Sequence, residues 1–258
     1  MALLEIDGLT VKFGGLTALD QVDLRVEAGS IYGLIGPNGA GKSTLFNCLS
    51  RIYTPDKGRI RFSGMDILKF RPQRMVHLGI SRTFQNTELF QSMLVVEHLI
   101  VGQHTVARTG LFAAAVGLGK REEKAVRRRA EQVIALLGLE SIKDQNIKTL
   151  PLGYQKLTEL GRALISEPKL LLLDEPAAGM NTAETQRLRG LIRRIRGELQ
   201  VTVLLVEHDM SFVMDVCDRL LVLDFGQAIA EGTPLEIKAD PKVIEAYLGE
   251  ESDSAAGE

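Results

Sequence analysis

Apolar and polar positions alternate in the first part of the chain. From Leu4 to Val26 apolar residues recur at nearly every second position, which predicts short antiparallel strands before Gly29. Three later runs, 31–35, 170–173 and 201–206, are almost continuously apolar. Runs this short favour buried parallel strands over helices. The pattern therefore predicts an antiparallel part joined to a parallel α/β sheet.

Helical periodicity separates these strand-like runs. Apolar residues recur at helical spacing over 125–137, and Gly138 offers a C-cap. A second helix is predicted to begin after Asn181, an N-cap residue with Glu184 three positions further on. Two short apolar-rich runs flank residues 224–226 and predict a hairpin near the end of the chain.

Composition narrows the possible classes. The chain has 258 residues, of which 45% are hydrophobic and 25% charged, enough for one large domain or a domain with a subdomain. Its net charge of -2 provides no general attraction for nucleic acid. Cys48 and Cys217 form no CxxC pair, which suggests a reduced, intracellular protein. No signal-peptide pattern and no membrane-spanning apolar run is expected, and the polar tail after Leu248 is predicted to be disordered.

A glycine-rich loop follows the strand predicted at 31–35. The segment GPNGAGKST matches GxxxxGK[ST], in which backbone N–H groups curl around phosphates at a helix N-terminus. Lys42 would reach the β and γ phosphates, Ser43 would bind Mg²⁺, and Thr44 would add a phosphate contact. A glycine-rich turn without a ligand is the alternative, and the strand and helix context disfavours it. The predicted nucleotide contacts are Gly36, Pro37, Asn38, Gly39, Ala40, Gly41, Lys42, Ser43 and Thr44.

Acidic residues and a histidine end the other two parallel runs. Asp174 ends the first run and is predicted to join the Mg²⁺ shell beside Ser43, which leaves Glu175 to polarise a water. The second run ends on Glu207-His208-Asp209, and His208 is predicted to sense the γ-phosphate. Together these residues predict ATP hydrolysis.

With these motifs in this order, the chain resembles the nucleotide-binding subunits of ABC transporters over essentially its whole length. The resemblance implies that Phe13, in VKFGG, stacks on adenine. It implies that Gln85, in RTFQN, joins the Mg²⁺ shell and reports to a transmembrane partner. It also matches residues 150–156, LPLGYQK, to the signature that closes on the opposite subunit's ATP, and residues 178–181 to a dimer-contact loop. The implied catalytic residues are Glu175, His208, Lys42 and Gln85, and the implied signature contacts are Leu150, Gly153 and Tyr154.

The same resemblance implies an architecture. It is an α/β P-loop NTPase core with a mixed sheet flanked by helices, an N-terminal antiparallel β subdomain, and an inserted α-helical signature subdomain. Residues 1–85 and 168–240 would form the ATP-binding core and residues 86–167 the helical subdomain. A C-terminal helix and tail would occupy 241–258. Apolar residues between Gln85 and Glu97 are the candidate groove for a membrane-subunit helix, with core packing as the alternative.

Several segments resemble one subgroup, the ATP-binding subunits of branched-chain amino acid uptake systems. They are DEPAAGMN, VEHDMSFVMDVCDR, EGTP, VIEAYLGE and the additional segment 105–124. This implies a second ATPase subunit that is non-identical, with a homodimer in isolation, and two integral-membrane permeases at the cytoplasmic face of the inner membrane. A solute-binding protein outside the membrane would be an indirect partner, and no nucleic acid is implied.

Other functions stay open at this stage. A urea or amide importer, an importer of another amino acid, or a lipid or lipopolysaccharide exporter would look similar. A soluble ABC ATPase acting on DNA or ribosomes is disfavoured by the single phosphate loop and the lack of a basic face. A small-molecule kinase would have no use for the segment 150–156.

The signature departs from the family pattern LSGGQ. Pro151 replaces the serine that would touch the γ-phosphate, and a hydrogen bond to a charged group is worth about 1.5 to 3 kcal/mol. Proline fits a first helical position and restrains Leu150 to an extended conformation, so that the N–H of Gly153 can still face a phosphate. The hypothesis is an asymmetric pair, in which a more standard partner signature completes this chain's own ATP site.

Overall fold

The computed structural model describes residues 2–83, 89–104 and 119–247, and the side chains of residues 104 and 119–123 lie outside that description. Within these ranges ten strands are numbered in chain order: β1 Ala2–Phe13, β2 Leu16–Glu27, β3 Ile31–Ile35, β4 Lys57–Phe62, β5 Met65–Asp66, β6 Ile80–Arg82, β7 Leu170–Asp174, β8 Thr202–Val206, β9 Arg219–Asp224 and β10 Gln227–Gly232. The helices of the same ranges are α1 Lys42–Leu49, α2 Met75–Leu78, α3 Val95–His104, α4 Gly119–Leu137, α5 Leu152–Leu164, α6 Thr182–Leu199, α7 Met210–Val216, α8 Pro234–Ala239 and α9 over 241–247.

The N-terminal strands form a four-stranded antiparallel sheet in the order β2-β1-β4-β5. Every second residue of β2 from Val22 onward is buried, as the alternating pattern predicts. Register shifts in the β1–β2 pair let each strand run for 12 residues while curving. The predicted antiparallel part is therefore confirmed, with strands longer than expected.

The second sheet has six strands in the order β10-β9-β3-β8-β7-β6. Strands β9, β3, β8, β7 and β6 are parallel, and β10 pairs antiparallel with β9 at one edge. All residues of β3, β7 and β8 are buried, because helices and the antiparallel sheet cover both faces. The predicted mixed sheet and the hairpin around 224–226 are confirmed.

Two apolar cores use alternate residues of these central strands. On one face, Ile31, Leu171 and Val203 pack in a cluster with residues of α3 to α7. On the other face, Leu34, Leu172 and Leu204 pack with α1 and the antiparallel sheet. The period of two along each strand thus assigns neighbouring leucines to opposite cores.

Helices α3, α4 and α5 lie between β6 and β7 in the chain and pack against one another. The predicted helix over 125–137 is the C-terminal part of α4, and Gly138 adopts the left-handed conformation expected of a C-cap. Arg187 of α6 donates hydrogen bonds to the carbonyls of Leu137 and Gly138 at 2.8 and 3.0 Å. Within the described ranges, no helix has the length and apolar content to cross a membrane.

Helix α6 begins with the capping box that the sequence indicates. The Asn181 side chain accepts from the Glu184 N–H at 3.0 Å, and the Glu184 carboxylate accepts from the Asn181 N–H at 3.0 Å. Two N–H groups that the helix itself cannot pair are therefore satisfied. This fixes the end of the loop that follows β7.

Candidate nucleotide-binding and hydrolysis site

The glycine-rich loop joins β3 directly to α1. A Cβ at Gly36 would overlap the carbonyl of Leu223, and one at Gly41 would lie 2.6 Å from the carbonyl of Ala18. Both glycines have positive φ, 146° and 102°, so other residues would be strained there as well as crowded. Lys42 Nζ donates to the carbonyls of Gly36 and Pro37 at 2.6 and 2.7 Å, so its ammonium group lies over the loop.

The predicted catalytic residues in the described ranges lie at the carboxyl-terminal ends of neighbouring parallel strands. The glycine-rich loop follows β3, His208 follows β8 by two residues, and Asp174 ends β7. These three strands are neighbours in the order β3-β8-β7, so β3 and β7 are separated by about 10 Å. A triphosphate on the loop would therefore lie within reach of both acidic and imidazole groups.

Asp174 is held by a buried ion pair that the sequence did not suggest. Arg82 of β6 donates to Asp174 Oδ2 at 2.7 Å, and the two side chains are only 10% and 7% exposed. Another nitrogen of Arg82 donates to Asn47 Oδ1 at 2.8 Å and Ser50 Oγ at 3.1 Å, both on or next to α1. The guanidinium also lies over the Phe46 ring. Arg82 thus links β6, β7 and the helix that follows the phosphate loop.

The residues proposed for Mg²⁺ suit that ion chemically. Ser43 lies in the first turn of α1, and Asp174 ends a nearby strand at the same sheet edge. Hydroxyl and carboxylate oxygens are ligands that Mg²⁺ prefers, with phosphate oxygens and water completing its shell. No cluster of three or more His, Cys, Asp or Glu able to hold a metal occurs in the described part of the chain.

Glu175 has a strained backbone. Its φ is 46°, a left-handed conformation that costs a non-glycine residue on the order of 1–3 kcal/mol and is concentrated at functional sites. The Glu175 N–H donates to the Val206 carbonyl of β8 at 3.0 Å, and its own carbonyl accepts from the Ala178 N–H at 3.2 Å. Lys156 Nζ of α5 donates to the carbonyls of Glu175 and Pro176 at 3.1 and 3.4 Å.

Glu207 is a buried acid beside His208, the histidine predicted to sense the γ-phosphate. It is 1% exposed, and desolvation raises its pKa above the ordinary carboxyl value, although hydrogen bonds oppose this. Its Oε1 accepts from the Ala177 N–H at 2.8 Å, and its Oε2 accepts from the His208 N–H at 3.2 Å. The His208 side chain is 67% exposed at this edge. Glu207 therefore connects the loop after β7 with the residue that would face the γ-phosphate.

Phe13 lies at the end of β1 with 46% of its surface exposed, so it is not a core residue. Its ring makes an edge-to-face contact with Tyr53, with centroids 5.2 Å apart. An exposed aromatic face supported from one side can stack on a base. Tyr53 was not predicted from the sequence, because nothing in its local pattern distinguishes it.

The signature segment begins α5. Leu150 is buried and extended, whereas Pro151 is exposed and is the N-cap, one residue before the first helical position predicted for it. The reason is that the Pro151 carbonyl already accepts from the Tyr154 and Gln155 N–H groups while its ψ of 153° is not helical. Gly153 is buried against Glu184, whose carboxylate a Cβ would overlap. Arg187 lies over the Tyr154 ring at 5.8 Å.

Gln85 lies outside the described residues, as do the neighbouring positions 84–88 and most of the additional segment 105–124. The remaining apolar residues of the candidate membrane-helix groove differ in burial. Leu89 is 7% exposed and packs in the core cluster, which is the core-packing alternative for this residue. Phe90 is exposed and stacks on the buried His98 with ring centroids 6.2 Å apart.

The fold and the converging motifs define a phosphate-loop nucleotide-binding protein. Its helical part, which carries the signature segment, is inserted in the chain between the neighbouring strands β6 and β7. A family profile described as ABC transporter matches residues 19–178, more than half of the chain. A second, described as branched-chain amino acid ATP-binding cassette transporter, matches residues 229–253. The chain belongs to the ABC transporter ATP-binding family.

Individual relatives agree over nearly full length. The chain is 43% identical over 253 residues to the high-affinity branched-chain amino acid transport ATP-binding protein BraF of Pseudomonas aeruginosa, covering 96% of this chain and 98% of the relative. It is 40% identical over 250 residues to the corresponding protein LivG of Escherichia coli, with 96% and 98% covered. A solved ATP-binding cassette of an ABC transporter in its ADP conformation aligns with a TM-score of 0.85 and 33% identity, covering 96% of this chain and 99% of that one.

Proposed function

We propose that this chain is the ATP-binding and ATP-hydrolysing subunit of an importer for branched-chain amino acids. The observation that carries hydrolysis is the shared sheet edge, where the phosphate loop, Asp174, Glu175 and His208 meet. The match of residues 229–253 to the branched-chain amino acid family supports the solute class. ATPases of urea, amide or lipid transport systems share the core, but neither BraF nor LivG carries such a name.

The proposed chemistry follows from the positions of the side chains. Adenine stacks on Phe13, and Lys42 leaves its two loop carbonyls to bind the β and γ phosphates. Ser43, Asp174 and Gln85 would hold Mg²⁺, which would neutralise charge on the phosphates when bound. Glu175 orients a water and takes a proton from it as the water attacks the γ-phosphorus in line, so that the bond to the ADP oxygen breaks and phosphate leaves. His208 steadies the γ-phosphate through its exposed imidazole.

Partners complete this site. The signature segment 150–156 would face the ATP of a second ATPase subunit, non-identical in the assembled transporter, and two permeases would hold the pair at the cytoplasmic face of the inner membrane. A solute-binding protein outside the membrane would deliver the amino acid to the permeases. The nearly full-length similarity to transport ATP-binding proteins supports this assembly.

The decisive experiment changes Glu175 to Gln in the complex that co-purifies with the chain. We expect ATP hydrolysis at this chain's site to fall by at least ~100-fold, since general-base catalysis contributes that much, while ATP binding is retained. Glu167→Gln is the matched control, because Glu167 is an exposed acid paired with Arg129. Leucine uptake should fall with hydrolysis. Unchanged hydrolysis would refute the role of Glu175, and recovery with ribosomes or DNA instead of permeases would refute the transport function.

Asymmetry between the two ATP sites is tested by Pro151→Ser. A serine at this N-cap regains a hydroxyl for the partner's γ-phosphate, worth about 10- to 150-fold in affinity. We expect activity to rise only at the site that this signature serves, as measured in a Glu175→Gln background. No change, or a decrease, would favour a purely structural role of Pro151 at the helix start.

A further inference from the structure

The loop after β7 is held from two sides by charged side chains of other elements. On one side, Lys156 Nζ of α5 donates to the carbonyls of Glu175 and Pro176. On the other side, Glu207 Oε1, after β8, accepts from the N–H of Ala177 at 2.8 Å. The main-chain groups of residues 175–177 are therefore held by one lysine and one glutamate side chain.

The backbone of this loop needs such support. Glu175 has a φ of 46°, and a strained conformation of this kind persists only when surrounding contacts enforce it. The backbone bond from the Glu175 N–H to Val206 fixes the start of the loop. Lys156 and Glu207 fix the carbonyls and the N–H group further along it. A change at either side chain would let the chain relax and turn the Glu175 carboxylate away from the attacking water.

Glu207 is buried and Lys156 is partly buried at this place. Desolvation lowers the pKa of Lys156, which Glu207, Glu159 and Glu175 oppose, and desolvation raises the pKa of Glu207. Burial disfavours the charged form of both groups, and titratable groups perturbed in this way are concentrated at functional sites. A cavity of about 20 Å³, large enough for one water, adjoins Lys156, Pro176 and Asp174.

We propose that Lys156 and Glu207 are positioning residues that clamp residues 175–177 and so set the direction of the Glu175 carboxylate. This inference rests on the proposed function, in which Glu175 orients water. Because Lys156 belongs to α5, whose first turn would face the partner's ATP, the clamp ties this chain's own hydrolytic loop to the helix that serves the other site.

The first test compares Lys156→Met, Lys156→Arg and Lys148→Met in the co-purified complex. Methionine keeps the apolar stem and loses the donor, arginine keeps the donor, and Lys148 is an exposed lysine near the signature that serves as the matched control. We expect kcat of this chain's site to fall on the order of 10- to 100-fold in Lys156→Met alone. Binding of a fluorescent ATP analogue should stay within about threefold, and Lys156→Arg should restore kcat.

A second pair separates geometry from charge at Glu207. Glu207→Gln keeps one oxygen that can accept from the Ala177 N–H but turns a donor NH2 to the His208 N–H, whereas Glu207→Leu loses both bonds. Glu207→Leu should lower kcat about 10-fold or more, and Glu207→Gln should lower it less. Wild-type kcat in both Lys156→Met and Glu207→Leu would overturn the clamp. So would a loss of ATP binding in proportion to the loss of thermal stability, because that indicates a general folding defect.

Combination with Glu175→Gln distinguishes this inference from the proposed function. Hydrolysis that Glu175→Gln abolishes belongs to this chain's site, and Lys156→Met should lower that fraction. If Lys156→Met lowers only the residual rate that is left in Glu175→Gln, Lys156 acts through the signature on the partner's site and the clamp is refuted. If Glu175→Gln does not lower ATP hydrolysis relative to the wild-type complex, the proposed function itself fails.

Discussion

The ion pair between Arg82 and Asp174 leads to a sharp stability prediction. The two side chains are 10% and 7% exposed and 2.7 Å apart. Arg82→Met would leave a carboxylate in the interior without its cation, and breaking a buried pair in this way costs about 3–5 kcal/mol. At about 2–4 °C per kcal/mol for a chain of this size, the melting temperature should fall by roughly 6–20 °C.

Arg61→Met is the matched control. Arg61 pairs with Asp7 at 2.6 Å, but the side chains are 41% and 39% exposed, and such surface pairs contribute about 0–1 kcal/mol. Thermal and urea unfolding of the nucleotide-free chain, followed by circular dichroism, compares the two variants under the same conditions. The reasoning is refuted if Arg82→Met is no less stable than Arg61→Met.

A double variant identifies the cause of the loss. Arg82→Met with Asp174→Asn removes both charges, so it should be more stable than Arg82→Met alone. Arg82→Lys keeps the positive charge but cannot hold Asp174 and Asn47 with separate nitrogens. This variant should lower the free energy of unfolding by about 1 kcal/mol, because the hydrogen bond to the neutral Asn47 is lost. If the double variant were as unstable as Arg82→Met, lost packing on Phe46 rather than unpaired charge would explain the effect.

Three further outcomes are expected. Phe13→Ala should weaken binding of a fluorescent ATP analogue by about 1–3 kcal/mol, whereas Phe13→Tyr should not; equal affinities would exclude stacking. Gly153→Ala should cost about 1–3 kcal/mol in urea unfolding, because its Cβ would overlap the Glu184 carboxylate; an unchanged midpoint would contradict this. The hydrogen bond from Ser211 lowers the pKa of Asp209 in the folded protein. The ionised acid therefore stabilises the fold fully above its unfolded pKa of about 3.9, and this stabilisation is lost as the pH falls through the lower folded pKa. Asp209→Ala should thus lower the free energy of unfolding by about 1 kcal/mol at pH 7. The prediction is refuted if the difference in melting temperature between wild type and variant does not shrink in acid.

Elements with strong periodicity were predictable from the sequence. The two-residue alternation before Gly29 and the short apolar runs at 170–173 and 201–206 correspond to β1, β2, β7 and β8. Each of these patterns reports burial on one or both faces, which is a local consequence of the sheet. The capping box at Asn181 was equally local, because both of its members lie within four residues.

Contacts between distant segments were not predictable in this way. Arg82 and Asp174 are 92 positions apart, and Ala177 and Glu207 are 30 apart. Neither Arg82 nor Glu207 belongs to a motif with a spacing of its own, so only the order of β6, β7 and β8 in the sheet brings them to their partners. The one available signal was an acid directly after the apolar run 201–206, next to the histidine for which a role was predicted.

In the signature segment, a motif residue can be required for packing as well as for contact with a ligand. Gly153 is required by packing, since a Cβ at this position would overlap the carboxylate of Glu184 in the α6 capping box. A glycine at this position is therefore not by itself an argument for close approach to a phosphate. Pro151 is different, because it is exposed, its side chain makes no cap hydrogen bond, and only its carbonyl accepts from the first helical turn. Activity at the partner's ATP is thus expected to respond to Pro151→Ser through the hydroxyl, and to Gly153→Ala through displacement of α5 from α6. If Pro151→Ser changes activity but not stability, and Gly153→Ala changes both, the first residue acts through ligand contact and the second through packing.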